Sequence, residues 1–424
     1  MTLLILGSFT LFFLFGWPVV VAILVPSAAY VLMNGIPIEL IGQRMAYALD
    51  SFPLVAVPVF IFVGNLMNQA GVTERIFKFA DTLVGRVPGG LAQVNVVASL
   101  IFSGMSGAAL ADIGGLGRIE VKAMVARGFR RDYSAAVTCT SAIVGPIFPP
   151  SIPLIIYGSV TSVSIMQLLL AGIVPALICV AFMMITVAIL AVRRGHPRAP
   201  RWSTPREIWR DLLPAFPALL APVFLVTGML LGIFTPTEAA SITVAYVLFI
   251  TAFFYRTLTL RHLLYAALET LKNTSAILVI VSVAALFGWV MAIEQIPQMF
   301  ARELLSLSRD PVVLLIIVNV ILLIVGMFLD STTATLLVVP IIAGPLHAAG
   351  VDPVHLGIVT IFNLMVGLFT PPMGLALFLI TEIARVSMRS LLREMVPFYV
   401  PLFATLIVIT LIPELSLWLP KMIR

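Results

Sequence analysis

The feature that most constrains this chain is a motif written twice. Residues 145–150 read GPIFPP and residues 367–372 read GLFTPP, an offset of 222 residues. At the same offset Gly104-Met105 matches Gly326-Met327, and further upstream AYALDSF (46–52) resembles YAALETL (265–271) at an offset of 219. The matches keep one order and drift by only a few residues. They indicate one ancestral half of about 200 residues that was duplicated.

Composition places both halves in a membrane. Mean hydropathy is +1.14, 61% of residues are hydrophobic and only 10% are charged. A soluble chain carries about 25% charged residues. Many apolar stretches reach the ~20 residues that cross a bilayer as helix, and none alternates like an outer-membrane strand. The run from Leu3 to Phe15 lacks a basic start and reads as a first helix, not a signal peptide. Cys139 and Cys179 give no disulfide framework, and His196, His262, His347 and His355 are scattered, so no metal or hydrolase constellation is visible.

The apolar pattern predicts helices at 3–16 and 18–34, an amphipathic stretch at 37–50, a helix at 53–70 and a split pair over 88–127 broken by SGMSG (103–107). An interrupted helix follows at 132–160, then a helix from 164 to 192 and a polar loop at 193–210. The second half repeats the plan. It has helices at 212–231 and 237–255, an amphipathic stretch at 259–272, a helix at 275–294 and a split pair at 311–348. An interrupted helix at 354–384 and a last helix at 396–417 complete it. If each split pair is a re-entrant hairpin, each half crosses five times and the second half is inverted. With the N-terminus outside, all lysines and arginines but five (Arg44, Arg302, Arg309, Lys421 and Arg424, out of 25) fall in cytoplasmic segments. The positive-inside rule expects this bias. The net charge of +6 is explained by these loops and is not a nucleic-acid footprint.

The expected fold class is therefore an all-α integral membrane protein of two inverted-topology repeats with re-entrant hairpins and broken helices. Its repeats span 1–192 and 211–424, joined by a cytoplasmic linker at 193–210. Proline inside a spanning segment removes an amide donor and frees carbonyl oxygens. Lipid tolerates such breaks only where protein or a polar cavity covers them. Freed carbonyls and helix C-terminal ends suit a small hard cation, and opposed helix N-termini suit an anionic substrate. Ser103 and Ser106 lie at one hairpin break; Asp330, Ser331, Thr332 and Thr333 lie at the other. Asp330 reads both as an intramembrane functional acid and as the N-cap of the helix from Ser331. Asp112, among small residues on the other hairpin, is a further candidate. Glu238 reads as a cap, and Glu294 and Glu382 as interfacial.

Four motifs resemble a known family. SGMSGAALADIGGLG (103–117), GPIFPPSIPLIIYG (145–158), GMFLDSTTATLLVVP (326–340) and GLFTPPMGLALFL (367–379) are similar to the large membrane subunit of tripartite ATP-independent periplasmic (TRAP) transporters, the DctM type. The resemblance runs from about residue 3 to 417. It implies a Na⁺-coupled importer of a carboxylate, not an enzyme, in a bacterial inner membrane. It also implies an elevator architecture, with a scaffold near 1–50 and 211–272 and a transport domain near 53–192 and 275–395. A small four-helix membrane subunit and a soluble periplasmic substrate-binding protein are the implied partners, with membrane lipid around them.

Carried over by position, the resemblance implies one Na⁺ site at Ser103, Gly145, Phe148 and Pro150. Through the repeat it implies a second at Gly326, Asp330, Gly367, Thr370 and Pro372. Substrate contacts are expected at Met105, Ser106, Ser151, Thr332 and Thr333. Sialic-acid-type members carry SGSS where this chain has SGMS, which favours a smaller carboxylate or dicarboxylate over a polyhydroxylated sugar acid. Competing readings are a stand-alone Na⁺/dicarboxylate symporter of the divalent-anion type, an intramembrane enzyme and a channel. The absence of GxSxG and of any catalytic dyad in the sequence weighs against the enzyme. The paired re-entrant breaks weigh against the channel.

Overall fold

A computed structural model describes residues 2–199 and 201–422, with side chains from residue 7 onward; the terminal Arg424 lies outside the described residues. Among those residues the chain is helical throughout, with no strand. Eight helices among the described residues are long and apolar enough to cross a membrane, the longest being Leu260–Ile293. Large apolar side chains such as Ile185, Val192, Phe253 and Val400 remain exposed on the outer faces. That is the arrangement expected when hydrocarbon, not water, is the solvent.

The two halves run through their elements in parallel order. In the first, Thr2–Leu14 and Val19–Met33 precede the amphipathic Glu39–Leu49 and the spanning Ala56–Gln69. A hairpin follows from Leu91–Ser106 and Ala109–Ala126, then a helix broken between Arg131–Ser141 and Ile152–Thr161. In the second, Pro205–Leu230 and Pro236–Phe249 precede Leu260–Ile293. The hairpin Pro311–Phe328 and Ser331–Ala348 follows, and then a helix broken between Pro353–Leu368 and Leu375–Ala384.

Several boundaries differ from the sequence pattern, each for a physical reason. The stretches expected at 259–272 and 275–294 form one continuous 34-residue helix. In the first half Pro53 lacks an amide and separates the corresponding elements; Lys272-Asn273-Thr274 contains no such breaker. The polar linker is shorter than expected. Arg194 ends one helix, and Thr204 starts the next with a capping box, its hydroxyl accepting from the Glu207 amide while the Glu207 carboxylate accepts from the Thr204 amide. Two amphipathic helices, Val72–Val84 and Ile296–Leu307, were absent from the sequence reading, as was the separation of Met388–Leu411 from Glu414–Lys421. They lie where polar and apolar residues mix, so a search for continuous apolar runs passes over them. Glu238 caps Pro236–Phe249 through a second capping box with Thr235, and Glu294 accepts a hydrogen bond from the Tyr30 hydroxyl at 2.8 Å.

The halves interlock. The second arm of the first hairpin packs on Leu375–Ala384, from the other half's broken helix. Reciprocally, Ser331–Ala348 packs on Ile152–Thr161. Around this centre, Leu260–Ile293 packs on Val19–Met33, Glu39–Leu49 and Ala56–Gln69, and Pro205–Leu230 packs on Val72–Val84.

Candidate functional site: two hairpin tips seated on two broken helices

Each hairpin tip rests on the break of its own half. The first arm of the first hairpin continues helically through Ser103 to Ser106, so the turn is at Gly107-Ala108 and not across the whole of SGMSG. Gly107 has φ +64°, and a Cβ there would lie 2.5 Å from the Pro150 carbonyl oxygen. Only glycine satisfies both conditions. Its carbonyl accepts from the Ile152 amide at 3.3 Å, just beyond the Pro-Pro pair. In the second half the Met327 carbonyl accepts from the Gly374 amide at 3.0 Å, again just beyond the Pro-Pro pair. The Pro149–Pro150 and Pro371–Pro372 bonds are both cis.

The first tip is sealed. Ser103, Met105, Ser106, Gly145, Pro150 and Ser151 are buried, and Phe148 is partly so. The Ser103 hydroxyl donates to the Leu100 carbonyl at 2.6 Å. The Ser106 hydroxyl donates to the Asp112 carboxylate, and the Ser151 hydroxyl donates to the Pro146 carbonyl while accepting from the Leu154 amide. Asp112 Oδ2 has no hydrogen-bond partner, and a Cβ on Gly145 would lie 2.6 Å from it. A buried carboxylate oxygen therefore faces the start of the helix break. Gly104 packs against Pro205–Leu230, where a Cβ would lie 2.7 Å from Pro222 Cβ.

The second tip is more open. Thr333 is fully buried and Thr332 nearly so, but Asp330 and Thr370 are half-buried and Pro372 is exposed. Asp330 caps Ser331–Ala348: its Oδ2 accepts from the Thr332 amide at 3.0 Å and the Thr333 amide at 3.2 Å, and its Oδ1 accepts from the Thr333 hydroxyl. The cap reading of Asp330 is thus met by geometry. Gly326 and Gly367 touch backbone to backbone. Thr370 donates its hydroxyl to the Val366 carbonyl at 2.6 Å.

The structure brings the predicted residues together as two clusters, one for each tip and break. Asp112, outside the expected site residues, lies beside Gly145 of the first cluster. At the offset of 222, Asp330 corresponds to Ala108, the uncapped N-cap of Ala109–Ala126. The first hairpin carries its acid one turn further on. Among the described residues no three His, Cys, Asp or Glu side chains gather as a metal-holding group. The oxygens on offer are carbonyls, hydroxyls and single carboxylates, which suit a hard cation.

A cavity of about 310 Å³ separates Ser51 and Leu54, with Ala284 and Gly288 of the long helix, from Ile156 and Ser159 beyond the first break and Leu336 and Pro340 of the second hairpin. A neighbouring cavity of about 500 Å³ is lined in part by Ser51, Ser159, Ser162, Ser164, Thr235 and Thr237.

Comparison with known proteins agrees with this architecture. The family described as the tripartite ATP-independent periplasmic transporter, DctM component, matches residues 6–415. The sialic acid TRAP transporter large permease protein SiaM of Vibrio cholerae is 42% identical over 408 residues, covering 96% of this chain and 95% of that protein. The C4-dicarboxylate TRAP transporter large permease protein DctM of Pseudomonas aeruginosa is 35% identical over 372 residues, covering 88% and 87%. Among solved structures, the YdaH transporter of Alcanivorax borkumensis superposes with a TM-score of 0.67 at 15% identity, covering 90% of this chain and 88% of that one, a likeness of fold alone. The first of these relatives is named for sialic acid and the second for C4-dicarboxylates. The chain is a multi-pass membrane protein of the TRAP transporter large permease (DctM) family, whose members work with a periplasmic binding protein.

Proposed function

We propose that this chain is the large subunit of a Na⁺-coupled importer of an organic carboxylate. The observation that carries the reading is the pair of hairpin tips, each hydrogen-bonded to a Pro-Pro break by a backbone amide and carbonyl. Na⁺ bound at such a junction supplies positive charge that a carboxylate substrate can share. Ser103, Gly145, Phe148 and Pro150 would hold one ion, with the unpartnered Asp112 oxygen beside them. Gly326, Asp330, Gly367, Thr370 and Pro372 would hold the other. In both, the freed carbonyls and hydroxyls replace water around the ion.

Substrate would meet Met105, Ser106 and Ser151 from one side and Thr332 and Thr333 from the other. Several of these hydroxyls are engaged internally here, so binding would exchange those bonds for bonds to the carboxylate. In our reading the halves are inverted, the termini face the periplasm and the membrane is the bacterial inner membrane. The hairpins and broken helices would move as one block against a scaffold. Because Leu260–Ile293 is unbroken and packs on Ala56–Gln69, both helices belong with the scaffold in this scheme, moving the boundaries expected at 50–53 and at 272–275. A small four-helix subunit would hold the scaffold in place.

Reconstitution tests the reading. Vesicles holding this chain, the small subunit and the binding protein should take up carboxylate, and omitting the binding protein should abolish uptake. Undiminished uptake without it would instead support the stand-alone symporter.

A further inference from the structure

The second arm of the first hairpin carries another acid that the cation sites do not use. Glu120 is 1% exposed, and its Oε1 has no hydrogen-bond partner. Thr138 and Asn95 face its carboxyl group. They begin a chain of buried polar side chains across the hairpin and the broken helix. Asn95 Nδ2 donates to Thr138 Oγ1 at 2.6 Å, Ser141 Oγ donates to Asn95 Oδ1 at 2.8 Å, and Ser99 Oγ donates to Ser141 Oγ at 2.9 Å.

An ionised carboxylate with a free oxygen is costly in such a place unless a cation accompanies it. None of the surrounding elements aims one at it. On the same helix Arg118 and Lys122 stand at exposed positions. From Arg131–Ser141, Arg131 is exposed, Asp132 is held by Arg130 and Ser390, and Tyr133 is neutral. On Leu375–Ala384 the acid Glu382 is exposed, while Leu91–Ser106 and Ala142–Val144 carry no charged residue. Asp112, two turns toward the tip, has the same sign.

A metal ion is a poor fit, because hard cations take a full shell of oxygens. Thr138 Oγ1 and Asn95 Oδ1 already accept hydrogen bonds, and the Asn95 amide and the Met124 sulfur fill adjacent space. A proton needs only one oxygen. We propose that Glu120 is a proton-binding site whose proton exchanges with the cytoplasmic side during the transport cycle. The step is a simple one: the carboxylate takes up H⁺ from water to become the neutral acid, and returns it when the polar chain opens. Glu120 lies seven residues before Arg127, about 10 Å at 1.5 Å per residue, which places it near the end of the arm that the proposed topology makes cytoplasmic.

Two measurements test this. The first needs no transport: infrared difference spectra of the purified chain, wild type minus Glu120→Gln. A C=O stretch of a buried neutral acid, lost in Glu120→Gln and shifted in Glu120→Asp, is expected. No such band in the wild type overturns the proton site. The second uses vesicles holding the complete complex, a weakly buffered lumen and a pH dye. Na⁺-driven uptake by the wild type should carry a proton signal that Glu120→Gln loses while still transporting. Uptake without any proton signal in the wild type overturns the exchange. Uptake indifferent to Na⁺ contradicts the transport reading instead, and the infrared result then decides Glu120 alone.

Discussion

Gly326 and Gly367 meet with no side chain between them: a Cβ on Gly367 would lie 2.6 Å from the Gly326 carbonyl carbon and 2.7 Å from its Cα. The atoms in the way are backbone and cannot swing aside. The first arm of the second hairpin is thereby held directly against the broken helix.

Gly367→Ala should therefore push the two elements apart. Overpacking of this kind costs about 1–3 kcal/mol. The variant should melt at a lower temperature and should lose most of the stabilisation that added Na⁺ gives the wild type. A melt with unchanged Na⁺ response would separate this contact from ion binding.

Asp330 separates two roles in one residue. Asn can still accept from the Thr332 and Thr333 amides, whereas Ala cannot, and loss of an N-cap costs about 0.5–2 kcal/mol. Asp330→Asn should keep the wild-type melting temperature in Na⁺-free buffer but raise the Na⁺ concentration needed for half-maximal uptake. Asp330→Ala should lower both stability and uptake. An Asn variant with wild-type Na⁺ dependence would leave the carboxylate only its capping role.

The contact between Gly104 and Pro222 joins the first tip to a helix assigned to the scaffold. Cysteines at the two positions, with Cys139 and Cys179 replaced, need a shift of about 1 Å to reach the usual Cβ separation of a disulfide. Oxidation should stop uptake and reduction restore it. Uptake that continues through the cross-link would contradict movement of the tip against that helix.

Topology is open to labelling. Ser203→Cys, in the linker between the halves, should react with impermeant thiol reagent only from the cytoplasmic side. Ala348→Cys, at the base of the second hairpin, should react only from outside. Reaction of both from one side would remove the inversion.

Much of this was legible in the sequence because the breaks are made by residues with unusual backbones. Pro149, Pro150, Pro371 and Pro372 announce interruptions in otherwise apolar runs, and the hairpin turns fall within two residues of Gly107 and Asp330. The amphipathic helices Val72–Val84 and Ile296–Leu307 were hidden by their mixed composition. The unpartnered oxygen of Asp112 was hidden for another reason. The residue's partner Ser106 is six residues away and Gly145 is on a different helix, so only tertiary packing shows that one of its oxygens is left over. Asp330 was the more conspicuous acid in the sequence, yet both its oxygens are engaged by its own helix.

The most direct measurement is carboxylate uptake into vesicles of the complete complex under an imposed inward Na⁺ gradient, compared with an equal K⁺ gradient. Accumulation against the substrate gradient with Na⁺, and none with K⁺, is the expected result. Equal accumulation with both would contradict Na⁺ binding at the two hairpin tips as the driving event.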